Sequence, residues 1–372
     1  MPRFERGYLD QDVLTAAKER IIRIIDMHDH VFVCFSGGKD SLATLKLTEM
    51  VYEERGIDKP VGVIFRDEEL IPDDVINFVQ DYYRSGNYNF RYFAVPLLSH
   101  KYILGATHSY IQWDPNREWI RDKPDFAITD NKGMVFDQYT MDDFAVRDLR
   151  GKCAFITGMR ADESLFRYQG VMSRKNLNYI SQQTKKVSLC KPLYDWSQKD
   201  IFKFFYDFNI KYCSIYDAQL FNHMPLRVST PLHAESAKNF DKIKTLYPVF
   251  YQQLIDIFPE MRLQELYYKE YKQSSGENVL DRYDHTWDGI ISYIKDNITD
   301  PHEKKLAITR VIAAKRTRDN RLSRGEGQHN LGGFPIRYVF SKIVSGGYKR
   351  NIMATAKASP EDLEYESGNT NW

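Results

Sequence analysis

The segment Ser36-Gly37-Gly38-Lys39-Asp40-Ser41 combines two glycines, two hydroxyls, an ammonium and a carboxylate within six residues. Glycine allows the backbone to approach a ligand closely, and the N–H groups at the start of a helix favour a bound anion. Lys39 adds a positive charge at the same place. The segment is not the G-x-x-x-x-G-K-[ST] loop, because it is shorter and an aspartate follows the lysine. We therefore expect residues 36–41 to bind phosphate groups.

Alternating strand and helix patterns surround this segment. A β-favouring run at 31–35 comes directly before it, and a helical pattern over 41–55 follows. Further strands are predicted at 61–65, 90–95 and 153–158. Strands that alternate with helices indicate a parallel sheet with right-handed crossovers. The predicted fold class is α/β, with a Rossmann-like parallel sheet, flanking helices and a mainly helical C-terminal region.

Three polar clusters follow predicted strands, at 36–41, 67–69 and 158–164. Ligands of such sheets bind at the C-terminal ends of the strands, so the three clusters predict one nucleotide cleft. Asp67 is expected to contact the nucleotide. Arg160 is suited to bidentate binding of phosphate or sulfate, and Glu163 to orienting that arginine or binding Mg²⁺.

The phosphate-binding segment resembles the PP-loop of the ATP pyrophosphatase class. This class includes phosphoadenosine-phosphosulfate (PAPS) reductases, sulfurylases, thiouridine synthetases and DNA phosphorothioation sulfurtransferases. Residues 158–164 resemble the G-x-R-x-x-E-S segment of PAPS reductases, and residues 191–201 and 209–217 resemble two further segments of that family. The resemblance covers about residues 28–232. With its basic C-terminal extension, the chain is most similar to PAPS reductase-like proteins found near prophage and ParB-like genes.

The resemblance implies an adenine nucleotide α-hydrolase (HUP-type) fold that binds ATP or a PAPS-like adenylate together with Mg²⁺. It implies cleavage at the α-phosphate, in adenylation or sulfur-transfer chemistry. The catalytic residues would be Lys39, Asp40 and Arg160, and Asp40 and Glu163 would be the ligands of Mg²⁺. The expected nucleotide-binding residues are Ser36, Gly37, Gly38, Lys39, Asp40, Ser41, Asp67, Gly158, Arg160, Glu163 and Arg227. Of these, Arg160 and Arg227 would bind a second anionic group or the acceptor.

The cysteines depart from the reductase pattern. Reductases of this family carry a C-terminal nucleophilic cysteine, but this chain has no cysteine after Cys213, and its others are Cys34, Cys153 and Cys190. No paired cysteines support an iron–sulfur cluster. Three functions remain open: a PP-loop enzyme acting at the α-phosphate, a genuine PAPS or APS reductase, or a nucleotide-sensing regulator. The reductase would use Cys190 or Cys213, which we expect to be the least buried cysteines.

Composition and charge indicate the organisation of the 372 residues. The chain has no 20-residue apolar span and no signal peptide at its start, so we expect a cytoplasmic protein without a membrane partner. The predicted parts are an N-terminal helix (1–30), a nucleotide-binding domain (31–232, with an insertion at about 97–150) and a helical basic region (233–372). Residues 301–358 contain 13 Lys or Arg against three acidic residues. This predicts nucleic acid or a ParB-like protein as partner, with a solvated helix face or a homo-oligomer interface as the alternatives.

Overall fold

The computed structural model describes residues 10–172, 177–274 and 279–367, which form two compact units. Of the described residues, 10–101 and 109–261 form the first unit, and 102–108 together with those from 262 onward form the second. The strands are β1 (His30–Cys34), β2 (Gly62–Arg66), β3 (Asn89–Phe93), β4 (Leu97–Ile103), β5 (Ala106–Gln112), β6 (Cys153–Ile156), β7 (Ile180–Gln182) and β8 (Val187–Cys190).

A six-stranded sheet in the order β3-β2-β1-β6-β8-β7 forms the centre of the first unit. All neighbouring strands in it are parallel except the edge strand β7, which is antiparallel to β8. Strands β4 and β5 form a separate two-stranded sheet within the predicted insertion. The mostly parallel sheet confirms the predicted α/β, Rossmann-like class, and the four strands predicted from the sequence all belong to it.

Helices cover both faces of this sheet, because its central strands carry apolar side chains on both sides. Val33 and Val63 pack into one buried cluster, whereas Phe32 and Ile64 pack into another. The helices of the first unit are α1 (Val13–Met27), α2 (Lys39–Glu54), α3 (Asp73–Arg84), α4 (Gln138–Ala145), α5 (Leu165–Met172), α6 (Gln198–Asp207), α7 (Ile215–Phe221), α8 (Ala234–Ala237), α9 (Phe240–Leu246) and α10 (Pro248–Ile257).

The first unit extends beyond residue 232, where the sequence analysis placed the end of the nucleotide-binding domain. Helices α8 to α10 belong to it, and the chain returns to the second unit at Arg262. One reason is local packing: the ring of Tyr247 packs against the main core, and its hydroxyl donates a hydrogen bond of 3.2 Å to Asp74 Oδ2. The predicted division into an N-terminal helix, a nucleotide-binding domain and a helical basic region stays a prediction.

The second unit is helical and has a core of its own, as the predicted helical C-terminal region requires. Its helices are α11 (Met261–Ser274), α12 (Trp287–Asn297), α13 (Pro301–Ser323), α14 (Ile336–Val344) and α15 (Pro360–Ser367). Ala307, Val311 and Ala314 form the buried stripe of α13, and Val339 and Phe340 contribute from α14. Within the described ranges, no helix combines the length and apolar character needed to cross a membrane.

Candidate functional site

The predicted phosphate-binding segment lies between β1 and α2, at the C-terminal edge of the sheet. Gly37 has a φ of +73°, and a Cβ there would lie 2.8 Å from Val79 Cγ2 and 2.9 Å from Val75 Cγ1. Both the backbone conformation and the space therefore require glycine at this position. Helix α2 begins at Lys39 with Gly38 as its N-cap, which brings the helix N-terminus to the end of β1.

Serine hydroxyls hold the loop in shape. Ser41 Oγ accepts a hydrogen bond of 3.1 Å from Ser36 N and donates one of 2.9 Å to Gly38 O. The hydroxyls of Ser36 and Ser41 lie 3.0 Å apart. At the helix start, Lys39 N donates a 2.6 Å hydrogen bond to the hydroxyl of Tyr216. Hydrogen bonds within the chain thus fix the conformation of the loop.

Asp40 bridges two buried cations. Its Oδ2 lies 2.8 Å from Lys39 Nζ, and its Oδ1 accepts a 2.7 Å hydrogen bond from Arg160 Nε. Lys39 and Arg160 are each only 4% exposed. Gly158 permits this approach, because a Cβ there would lie 2.4 Å from both the carbonyl carbon and oxygen of Asp40. The loops after β1 and β6, 120 residues apart in sequence, are therefore in direct contact, as the strand-end argument predicted.

A further arginine, Arg167 on α5, joins this cluster and was not among the site residues predicted from the sequence. It pairs with Glu163, whose carboxylate also accepts a 3.2 Å hydrogen bond from Arg160 N. Burial lowers the pKa of Arg167, and the nearby charges of Arg227 and Arg160 act in the same direction, whereas Asp40 opposes them. Glu163 lies in a short turn before α5 and Ser164 between them is extended, so the helical spacing rule does not predict this pair from the sequence.

Arg227 is presented by a fixed backbone beside the phosphate-binding loop. Gln219 accepts a 2.9 Å hydrogen bond from Arg227 N and donates one of 2.6 Å to Arg227 O. The preceding residue, Leu226, offers its carbonyl oxygen to Lys39 Nζ at 3.1 Å. The Arg227 side chain itself is exposed. The structure thus brings Arg227 close to the loop, as expected.

Asp67 lies in different surroundings from those expected for a nucleotide ligand. Its carboxylate is fully buried, accepts hydrogen bonds from Tyr92 Oη (2.7 Å) and Glu69 N (2.8 Å), and pairs with Arg121. Glu69 is equally buried and pairs with Arg117. These pairs connect the loop after β2 to the inserted segment. A contact between Asp67 and a nucleotide stays a prediction.

The predicted Mg²⁺ ligands are both engaged with cations. Asp40 binds Lys39 and Arg160, and Glu163 binds Arg167. Among the residues that the structure describes, no three His, Cys, Asp or Glu side chains are grouped as a metal site would require. Carboxylates already neutralised in this way do not fit a metal site built by the protein alone.

The cysteines correct one expectation. We predicted that Cys190 and Cys213 would be the least buried, but they are 0% and 2% exposed. Cys190 ends the inner strand β8, and Cys213 packs in the main core with its thiol 3.6 Å from Asp74 O. Burial raises the pKa of Cys190 to about 12 and that of Cys213 to about 11. Burial also raises the pKa of Cys34, to about 12, and that of Cys153.

Comparison with known proteins gives a family. Residues 30–272 match the model of the phosphoadenosine phosphosulfate reductase domain. YbdN, an uncharacterized protein of Escherichia coli (strain K12), is 28% identical over 236 residues, which are 59% of this chain and 58% of YbdN. The chain thus spans less than two thirds of the length of this curated relative.

Several solved structures are similar at low identity. FMN adenylyltransferase of Candida glabrata is 14% identical (TM-score 0.38), with 57% of this chain and 63% of that chain covered. PAPS reductase of Candida auris is 14% identical (TM-score 0.33), with 57% and 94% covered. The U34-tRNA thiolase NcsA of Methanococcus maripaludis is 16% identical (TM-score 0.31), with 70% and 82% covered. Similarity at this level carries no information on function.

Proposed function

The chain belongs to the phosphoadenosine phosphosulfate reductase domain family, and we propose that it binds an adenine nucleotide and acts at the α-phosphate. The nucleotide would be ATP or a PAPS-like adenylate, and the chemistry would be adenylation or sulfur transfer. The observation that carries the proposal is the Asp40 bridge between Lys39 and Arg160, directly beside the glycine loop. Two buried cations at a helix N-terminus form a phosphate-binding arrangement.

Each part of this site has a role in the proposed reaction. The backbone of Gly37 and Gly38 would lie against the leaving pyrophosphate, with Ser36 and Ser41 fixing the loop. Lys39 and Arg160 would stabilise the negative charge that develops in the transition state, which is often the largest contribution to catalysis. Asp40 would hold both cations in position until the phosphates bind.

The buried thiols support this proposal over a reductase. Reduction of a sulfonucleotide by a protein thiol needs an accessible thiolate. Cys190 and Cys213, the two candidates, are buried, and their raised pKa values keep them protonated at neutral pH. The side chains that converge on the loop instead offer positive charge and hydrogen bonds.

The test is product analysis after incubation with Mg²⁺ and, separately, ATP or PAPS. We expect AMP and pyrophosphate from ATP, and a loss of about a hundredfold or more in the Lys39→Met variant because a transition-state charge loses its partner. Lys203→Met is the control, since Lys203 is exposed on α6 and pairs with Asp207. Unfolding temperature should be compared for both variants.

Other outcomes separate the alternative functions. Unchanged turnover in Lys39→Met would contradict the assignment of the loop. Sulfite and adenosine 3′,5′-bisphosphate from PAPS with thioredoxin would establish a reductase. ATP binding without any product would support the nucleotide-sensing regulator.

A second candidate function concerns the basic region of the second unit. Some of its cations form internal ion pairs: Lys315 with Asp319, Arg318 with Glu366 and Lys349 with Glu303. Lys305 and Arg316 are exposed on α13, and their side chains have no hydrogen bond or ion pair within the described part of the chain. The two residues are eleven positions apart, which on an α-helix is about 20° more than three full turns and about 16 Å along the helix axis. Both cations therefore lie on one face of α13. We propose that this face binds the phosphate backbone of nucleic acid.

Salt dependence tests this second function. The double variant Lys305→Ala/Arg316→Ala should bind a labelled DNA duplex more weakly than the wild type does. The slope of log affinity against log salt concentration should be smaller in magnitude by about two for this variant. A matched control is Arg84→Ala/Lys203→Ala, which removes two exposed cations from the first unit. Equal affinity of both double variants for DNA would contradict a role of α13.

A further inference from the structure

A small cleft with a cavity volume of about 50 Å³ lies in the first unit beside the phosphate-binding loop and opens to solvent. Helix α7, residues 224–231 and helices α8 and α9 form its walls. Its apolar lining includes Ile215, Ile243 and Leu246, and its polar lining includes Arg227 and Ser229. A concave, mainly apolar space with a few polar groups is typical of a small-molecule site.

The cleft and the phosphate-binding loop share one wall. Residues 224–228 alternate between half-buried and exposed side chains. Leu226 O accepts a hydrogen bond from Lys39 Nζ, and a Cβ on Gly38 would lie 3.6 Å from Val228 Cβ. Arg227, which lies between Leu226 and Val228, and Ser229, which follows Val228, line the cleft. Residues 226–229 therefore contact the phosphate-binding loop and also line the cleft, so an occupant of the cleft would lie next to the loop.

Arg227 determines the charge of this occupant. Its guanidinium has no hydrogen bond or ion pair with any described residue, and Gln219 fixes its backbone at both N and O. Glu235, the acidic residue on the lining, pairs with Lys238. A single arginine that is not neutralised by the protein matches a carboxylate, which it can bind through two parallel hydrogen bonds.

The remaining lining determines the body of the occupant. The apolar side chains would gain by covering hydrocarbon, which leaves water on binding. Ser229 and Ser236 satisfy each other through a 2.6 Å hydrogen bond between their hydroxyls and so demand no polar partner from the ligand. The described lining thus favours a small molecule with one anionic end and an apolar body.

We propose that the cleft binds the acceptor of the reaction, and that this acceptor is a small organic carboxylate held by Arg227. The acceptor role rests on the proposed function. A carboxylate oxygen would attack the α-phosphorus of ATP and form a new P–O bond. The bond from the α-phosphorus to the oxygen bridging to the β-phosphorus would break, and its electron pair would leave with pyrophosphate. The products are an acyl adenylate and pyrophosphate.

The first experiment measures binding without nucleotide. Acetate, hexanoate and benzoate are titrated into the full-length protein and followed by ligand-observed NMR, with hexan-1-ol as the uncharged comparison. We expect saturable binding of hexanoate or benzoate that exceeds that of acetate and of the alcohol. In Arg227→Gln the affinity should fall about tenfold, because a charge-assisted hydrogen bond is lost.

Two further variants test whether the carboxylate binds in this cleft. Ile243→Trp fills the cleft and should abolish binding, whereas Arg84→Gln, an exposed arginine on α3, should leave it unchanged. Because Ile243 is buried, circular dichroism and unfolding temperature are recorded for each variant to check its folding. Arg227 is exposed, so Arg227→Gln gives a result even where the tryptophan variant does not fold.

The outcomes distinguish this inference from the proposed function. Failure of all three carboxylates to bind, or equal binding by wild type and Arg227→Gln, would overturn the cleft assignment even if ATP is cleaved. Carboxylate binding that leaves pyrophosphate release from ATP unchanged would overturn the acceptor role. Carboxylate-dependent release of pyrophosphate that is lost in Arg227→Gln supports both parts. Absence of ATP binding would instead contradict the proposed function.

Discussion

The contacts among the charged residues of the site depend on how closely the backbones of the loops after β1 and β6 approach each other. Asp40 can reach both Lys39 and Arg160 only because residue 158 has no side chain to separate the two loops. The atoms that a Cβ at 158 would meet belong to the backbone of Asp40 and Ser41, which cannot rotate away as a flexible side chain can. The small size of Gly158 is therefore a structural condition for the charge cluster.

Gly158→Ala tests this condition. The added methyl group should force the loops apart, lower the free energy of unfolding by about 1–3 kcal/mol as overpacking does, and reduce nucleotide turnover. Chemical denaturation and the product assay measure the two effects. Gly170→Ala is the matched control, since a Cβ at Gly170 meets no atom within 4 Å and alanine is favoured inside a helix. Wild-type stability and turnover in Gly158→Ala would contradict the role of this close approach.

At the scale of elements, the sequence predicts the strands better than the parts between them. The central strands β1, β2 and β6 are short, mainly apolar and soon followed by glycine or polar residues. These three strands and the edge strand β3 all begin and end within two residues of their predicted bounds. The β4–β5 hairpin was predicted only as an insertion. Its turn places Leu104 at a φ of +41° before Gly105 at +86°, and leucine gives none of the Asn-Gly signal that usually marks such a turn.

Pairing over long sequence distances is the other part that sequence reasoning could not supply. Asp67 and Glu69 were predicted to belong to the cleft because of their position after β2. In the structure they are neutralised by Arg121 and Arg117, which come from the insertion about 50 residues later. A strand-end pattern identifies where a carboxylate lies, but only the packed fold decides whether it faces a ligand or a buried cation. The same limit applies to Arg167, whose place in the cluster depends on how α5 is oriented.

For the whole molecule, each compact unit has its own apolar core, and the first core encloses reactive groups as well as hydrocarbon. Cys190 and Cys213 belong to that core, together with several tyrosines whose pKa values burial also raises, Tyr52 and Tyr216 among them. Burial makes these thiols and hydroxyls part of the packing and links the stability of the first unit to their protonation.

This linkage predicts that the protein loses stability in alkaline solution. The ordinary pKa of a cysteine thiol is 9.0, and burial raises it to about 12 for Cys34 and Cys190 and about 11 for Cys213. Between pH 9 and these raised pKa values, the thiols of the folded chain keep protons that the thiols of the unfolded chain have lost. The contribution of the protonated thiols to the free energy of unfolding should therefore be complete below about pH 9. As the pH rises toward 12, the free energy of unfolding should fall by about 1 kcal/mol per pH unit for each thiol. Urea denaturation at a series of pH values measures the slope, and Cys213→Ala should make it shallower. A free energy of unfolding that stays constant or rises across this range would show that the thiols are not buried in the folded protein, which would also reopen the reductase function.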